Sequence, residues 1–299
     1  GHRGAERGAG GSVRRLRHGS RRPGDPNGVR VRTGGLTSHM RWRVPLPFSI
    51  LAGAGAVFVA VPLVALLVRA PWADVSTALS GVGAASALRL SIVVSLVATA
   101  LSMLLGVPLA WILARAPIPG RSVVRAIVVL PVVLPPVVGG IGLLAALGRG
   151  GVMGRWLYEG LGIQLTFTIW GAIAATTFVS MPLVVLATES GLRSIDQRYE
   201  RAAAALGASP RYAIRRVVLP MLGPQLAAGA VLAWARALGE FGATITFAGN
   251  LEGRTQTLPL AVYEARLTDP GGAIFLSLIL VVLSVGVLVA MRDRITQAR

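Results

Sequence analysis

The chain has 299 residues, 54% hydrophobic and 14% charged, with a mean hydropathy of +0.67; a soluble domain carries roughly 25% charged residues. That balance excludes an ordinary soluble globule, and the lack of cysteine with only three histidines leaves no disulfide framework, thiolate metal site or redox motif to argue from. The net charge of +18 invites a nucleic-acid partner until its distribution is read: residues 1–43 hold eleven Arg against Glu6 and Asp25, so half the excess sits in a tail.

Residues 1–42 combine Arg and Gly without apolar periodicity and are expected to be disordered. Two readings of them stay open: an extension upstream of a start near Met40, or a basic arm for anionic lipid. Arg41 and Arg43 directly precede the first apolar run, where a positive flank holds a helix end at the cytoplasmic surface. Residues 43–299 are read as one membrane-embedded domain.

A spanning helix needs about 20 mostly apolar residues. Six stretches qualify, 48–68, 88–113, 123–147, 167–187, 222–247 and 273–291, so the fold class is all-α integral membrane with six transmembrane helices. The first is long enough to span, and no small-residue cleavage site clearly follows it, so it is expected to stay as a helix. In the third, Pro131, Pro135, Pro136, Gly139 and Gly140 predict an interrupted helix. A broken span is tolerated where its freed backbone groups face protein or water, which suits a pathway wall; a plain packing kink is the alternative. The fifth contains Arg236 and Glu240, four residues apart on one predicted helix face. Charges near the bilayer centre cost about 2.5 to 3.5 kcal/mol each, so this pair is expected to face the bundle interior.

Loop charge sets the orientation. Arg115, Arg121 and Arg125 flank the second connection without an acid, and Arg193, Arg198, Arg201, Arg211, Arg215 and Arg216 outnumber Glu189, Asp196 and Glu200 in the fourth. The C-terminal tail adds Arg292, Arg294 and Arg299 against Asp293. All three fall on one side and the other connections are poorer in Arg, so both termini are expected in the cytoplasm.

The fourth connection contains "YERAAAALGASPRYAIRRVVLP", residues 199–220. Asp196 is placed to cap a helix starting at Gln197, the Ala run continues it, and Gly207 supplies a left-handed end. Ser209 and Pro210 signal a second start, and Pro220 is expected to stop that helix. Taken as physics alone, the segment is an interfacial hairpin with Arg215 and Arg216 on headgroups and Ile214, Val217 and Val218 in hydrocarbon, or a docking element. A DNA-binding helix-turn-helix is disfavoured because flanking spans would pin it to the bilayer.

Ala202-Ala203, three further residues, Gly207, nine residues, Val217, then Leu219-Pro220 resemble the EAA loop of ABC importer permeases. One departure stands out: Arg201 occupies the place of the family's Glu, and an acid, Glu200, stands one position earlier. The resemblance implies a cytoplasmic coupling hairpin over about 189–221, with Glu200, Arg201, Ala202, Ala203, Leu206, Gly207, Ala208 and Ser209 meeting a separate ATP-binding subunit. The sequence contains no Lys, which a Walker A phosphate loop needs, so ATP and Mg are expected in that partner and no cofactor in this chain.

The stretches "RALGEFGATITFAGN" (236–250), "RTQTLPLAVY" (254–263) and "LPVVLPPVVGGIGLL" (130–144) are similar to the molybdate permease subunits, and the likeness runs from about residue 88 to the C-terminus. It implies a homodimeric permease of the cytoplasmic membrane that imports molybdate, or tungstate of similar size and charge, with sulfate or thiosulfate as the alternative substrate. Expected partners are two copies of an ABC ATPase subunit, a periplasmic or lipid-anchored molybdate-binding protein, a second copy of the chain and membrane lipid, with no nucleic acid. Along the pathway, Arg236 is expected either to pair with Glu240 as a helix lock or to attract a divalent oxyanion, with Glu240 limiting its trapping. Pro135, Pro136 and Gly139 are expected in the pathway wall, and Thr244 and Thr246 at its outer mouth or in helix packing. No catalytic or metal-ligating set is found in any span. A secondary transporter would need intramembrane acids for ion coupling, and Glu240 is the one candidate in the six stretches.

Overall fold

The computed structural model describes residues 45–74 and 83–296, with side chains described to residue 289; the tail over 1–42 lies outside the described residues. The described chain divides between Gly53 and Ala54 into two units. The chain's first helix, α1 (Leu46–Arg69), has no buried residue.

Within the second unit, the long helices are α2 (Ala84–Arg115), α6 (Ile169–Ser194), α8 (Pro210–Leu238) and α11 (Pro270–Thr296). Shorter helices are α3 (Arg121–Val133), α4 (Pro136–Leu147), α5 (Gly154–Leu161), α7 (Arg198–Ala205), α9 (Gly242–Phe247) and α10 (Leu258–Thr268). Among the described residues, five helices are long and apolar enough to cross a membrane, and the α3–α4 pair makes a sixth crossing if its two halves count as one.

Helix α6 is the hub, packing against α2, α3, α4, α8 and α9, and 61% of its apolar stretch is buried. Small residues allow that closeness, because lipid offers no hydrophobic drive between helices and backbones must approach to gain dispersion contact. Ala110 and Leu113 of α2 thus meet Val185, and Ala175 and Val179 meet Ala243 and Phe247 of α9. Hydrogen bonds add to this packing: Ser102 Oγ of α2 to Ser180 Oγ of α6 at 3.0 Å, and Trp234 Nε1 of α8 donating to Ser95 Oγ of α2 at 3.0 Å. Such bonds contribute roughly 0.6 to 2 kcal/mol each in a membrane.

Two predicted spans are each divided. The third separates at Leu134 and Pro135, both extended, where α3 and α4 meet at a bend of 119°. Of the expected breakers, Pro135 does this, since a residue before proline is pushed out of the helical region; Pro131 lies inside α3, while Gly139 and Gly140 lie inside α4. The fifth, expected as one helix over 222–247, ends at Leu238 and resumes at Gly242. Glu240 is therefore not on a helix face shared with Arg236 but in the gap.

Candidate functional site

Helix α7 and the first turns of α8 form the hairpin. Asp196 Oδ1 accepts from the Arg198 N–H at 2.8 Å, so the helix starts one residue later than Gln197. Gly207 turns the chain at φ 81, a left-handed value that costs other residues roughly 1 kcal/mol. Ser209 Oγ accepts from the Tyr212 N–H at 3.3 Å and Pro210 occupies the first turn, as the sequence predicts.

Pro220 does not stop the second helix. Residues Ile214–Val218 widen into a π-helical turn in which the Leu219 N–H reaches Ile214 O, five residues back. That wider turn accommodates the missing N–H and the ring of Pro220, and the helix runs unbroken over 29 residues, roughly 43 Å at 1.5 Å per residue. The hairpin's second arm is thus the start of a membrane span. Val218, expected in hydrocarbon, is instead fully buried with Leu192 and Leu222.

At the tip, Leu206 is 89% exposed and Gly207 has open space around it. Arg201, Ala202 and Ser209 are exposed, Ala203 and Ala208 half-buried. Glu200 points back into the chain, its Oε1 3.0 Å from Nη2 of Arg115 at the end of α2, an ion pair outside hydrogen-bond geometry. The same Nη2 donates to Ile195 O at 3.1 Å.

At the other end of α8 the divided spans cross. A Cβ at Gly140 would stand 2.7 Å from the Thr246 Cβ and 3.0 Å from the Ala243 backbone, and one at Gly242 would stand 2.9 Å from the Pro136 Cβ, so α4 and α9 touch backbone to backbone. Arg236 Nη1 lies 2.5 Å from Glu240 Oε2, while Glu240 Oε1 accepts from the Ala243 N–H at 2.8 Å and caps α9. Glu240 is buried; the Arg236 side chain is 31% exposed. Thr246 Oγ1 donates to Gly242 O at 2.7 Å, and Thr244 is wholly buried with its hydroxyl unpaired among the described residues. Pro135 is exposed, and Gly139 is buried against Phe178. The structure thus gathers Arg236, Glu240, Thr244, Thr246, Pro136 and Gly140 around one crossing.

Two hubs escape sequence reasoning. Glu189, counted only as a loop charge, is 1% exposed in α6, with Arg193 Nη2 at 2.6 Å, Arg125 Nε at 3.1 Å and Arg121 Nη2 at 3.9 Å. Glu264 Oε2 accepts from Asn250 Nδ2 at 2.7 Å and from Gln256 Nε2 at 2.6 Å, joining two of the three stretches that carry the molybdate-permease resemblance. Only the i,i+4 spacing of Glu189 and Arg193 left a trace in sequence.

A multi-helix membrane bundle whose exposed hairpin continues into a divided span has the build of a transport permease. Residues 106–296 match the model for the binding-protein-dependent transport system inner membrane component, and the chain belongs to that family. It is 47% identical over 246 residues to the molybdenum transport system permease protein ModB of Mycobacterium tuberculosis, covering 82% of this chain and 90% of that one. The sulfate transport system permease protein CysT of Escherichia coli is 39% identical over 145 residues, 48% of this chain and 52% of that one. The fold is similar to that of a chain in a bacterial alginate ABC transporter, with a TM-score of 0.65, 19% identity and coverage of 84% of this chain and 95% of that chain.

Proposed function

We propose that this chain is the membrane-spanning subunit of an ABC importer for molybdate, with tungstate as a close substitute. The 47% identity to a molybdenum permease over 82% of the chain supports the substrate. The single geometric feature that carries the mechanism is the unbroken helix from Pro210 to Leu238, which joins the hairpin tip to the crossing of the divided spans.

In this reading two copies enclose a central path, both termini lie in the cytoplasm, and a binding protein delivers the oxyanion from outside. Two ATPase subunits hold the hairpins and supply ATP hydrolysis, while this chain performs no chemistry on its cargo. Movement of the ATPases tilts α8, and α9 shifts against α4 at the Gly140 and Gly242 contact. Arg236 draws the dianion toward the path, and Glu240 keeps the site from holding it. Thr246 lines the mouth beside them with the buried Thr244 packed behind it, and Pro135 and Pro136 form the opposing wall, which Gly139 backs against Phe178.

The test is uptake of labelled molybdate into liposomes holding the permease, its ATPase and an enclosed ATP supply. Uptake that depends on the ATPase and on the binding protein is expected. Full-rate uptake without the ATPase would place the chain among ion-coupled carriers, and preferential competition by sulfate would move the substrate to the CysT type.

A further inference from the structure

The hairpin carries an unusual charge arrangement. Its one acid facing the adjoining spans, Glu200, is taken by Arg115, whose guanidinium also donates to Ile195 O just before α7. The neighbouring Arg201 is exposed, as are Arg211, Arg215 and Arg216, and none of the four makes an ion pair among the described residues. The side chains of Arg115 and Glu200 are 13% and 29% exposed, so their attraction is screened less than a surface pair would be.

We propose that the hairpin enters an acidic groove of its partner with Arg201 as the charged contact and Leu206 as the apolar anchor, while Glu200 is withdrawn from that interface as a strut to α2. This rests on reading the hairpin as the handle of a separate ATPase. Two observations favour a protein groove over lipid headgroups. The exposed residues of α7 are Arg198, Tyr199, Arg201, Ala202, Ala204 and Ala205, with no large aliphatic face to enter a bilayer. Leu206 stands alone at the tip, 89% exposed beside the uncrowded Gly207, which is the form of a single knob for a pocket.

The strut has a mechanical consequence. Glu200 and Arg115 tie the handle to the end of α2 while α8 continues from its other arm, so a push on the tip reaches two spans together. Glu200 and Arg115 are positioning residues, and Arg201 is the contact.

The experiment uses the full permease captured with its ATPase across a salt series, with thermal stability and coupled uptake measured in parallel. Arg201→Glu is expected to weaken capture roughly tenfold at low salt and to flatten its salt dependence, with an unchanged melting temperature. An acid-to-Arg change in the ATPase groove is expected to restore it. Glu200→Gln, Arg115→Gln and their double variant are expected to retain capture within about twofold, with equal and non-additive loss of uptake per ATP hydrolysed. Loss of capture in Glu200→Gln but not in Arg115→Gln overturns the assignment, because Glu200 itself then meets the partner. Unchanged capture by Arg201→Glu together with reduced binding to phosphatidylglycerol vesicles also overturns it in favour of a headgroup surface. If Leu206→Asp and Gly207→Pro leave capture intact as well, the handle reading itself fails.

Discussion

Arg236 and Glu240 stand 2.5 Å apart although the helix carrying Arg236 ends at Leu238, so their ion pair bridges a helix end and not a helix face. The second oxygen of Glu240 caps α9, and one carboxylate therefore fixes both sides of the gap. Arg236→Ala is expected to abolish molybdate uptake while the ATPase still co-purifies. Glu240→Ala is expected to lower stability by about 3 kcal/mol, since it strands a charge and uncaps a helix, though the partial exposure of Arg236 moderates the cost. Arg236→Ala with Glu240→Gln should recover the melting temperature but not transport; recovered uptake would make the pair a structural lock alone.

Gly207→Pro is expected to insert into the membrane at wild-type level and to lose its ATPase, because proline cannot take φ 81 at the hairpin tip. Gly207→Ala should retain most capture, at a local cost of roughly 1 kcal/mol, since nothing crowds the added Cβ. Co-purification from detergent distinguishes the two.

Gly140→Val is expected to destabilise the fold by about 1 to 3 kcal/mol and to block uptake, as its side chain would press into Thr246 and the Ala243 backbone. Gly142→Ala, at a position with open space, serves as the control and should transport normally. Melting temperature and uptake read the two effects separately.

Glu189→Gln is expected to cost about 2 to 3 kcal/mol, because three Arg of α3 and α6 would lose their shared carboxylate. Each Arg is at least a third exposed, so Arg121→Gln, Arg125→Gln or Arg193→Gln alone should cost under about 1 kcal/mol. Thermal melts in detergent decide between this shared arrangement and three independent pairs.

Apolar length is a local property, and the sequence by itself determined where the long spans run: 88–113 lies within α2 and 273–291 within α11, while 167–187 begins two residues ahead of α6, which starts at Ile169. Turn chemistry is equally local, so Gly207, Ser209 and Pro210 announced the hairpin from interactions no more than three or four residues long. The tertiary structure decided what local rules left open. Pro220 is a helix stop by its own chemistry, yet packing of Val218 and Leu222 on Leu192 holds the chain helical through a π turn. Glu240 has ordinary helix spacing from Arg236, but the backbone contact of α9 with α4 requires the chain to leave the helix there. Glu189 gathers Arg121 and Arg125 from more than 60 positions away, as Arg115 reaches Glu200 across 85. Such pairings depend on which helix ends meet in space, and that follows from the packing of small residues around α6, not from any charge pattern along the chain.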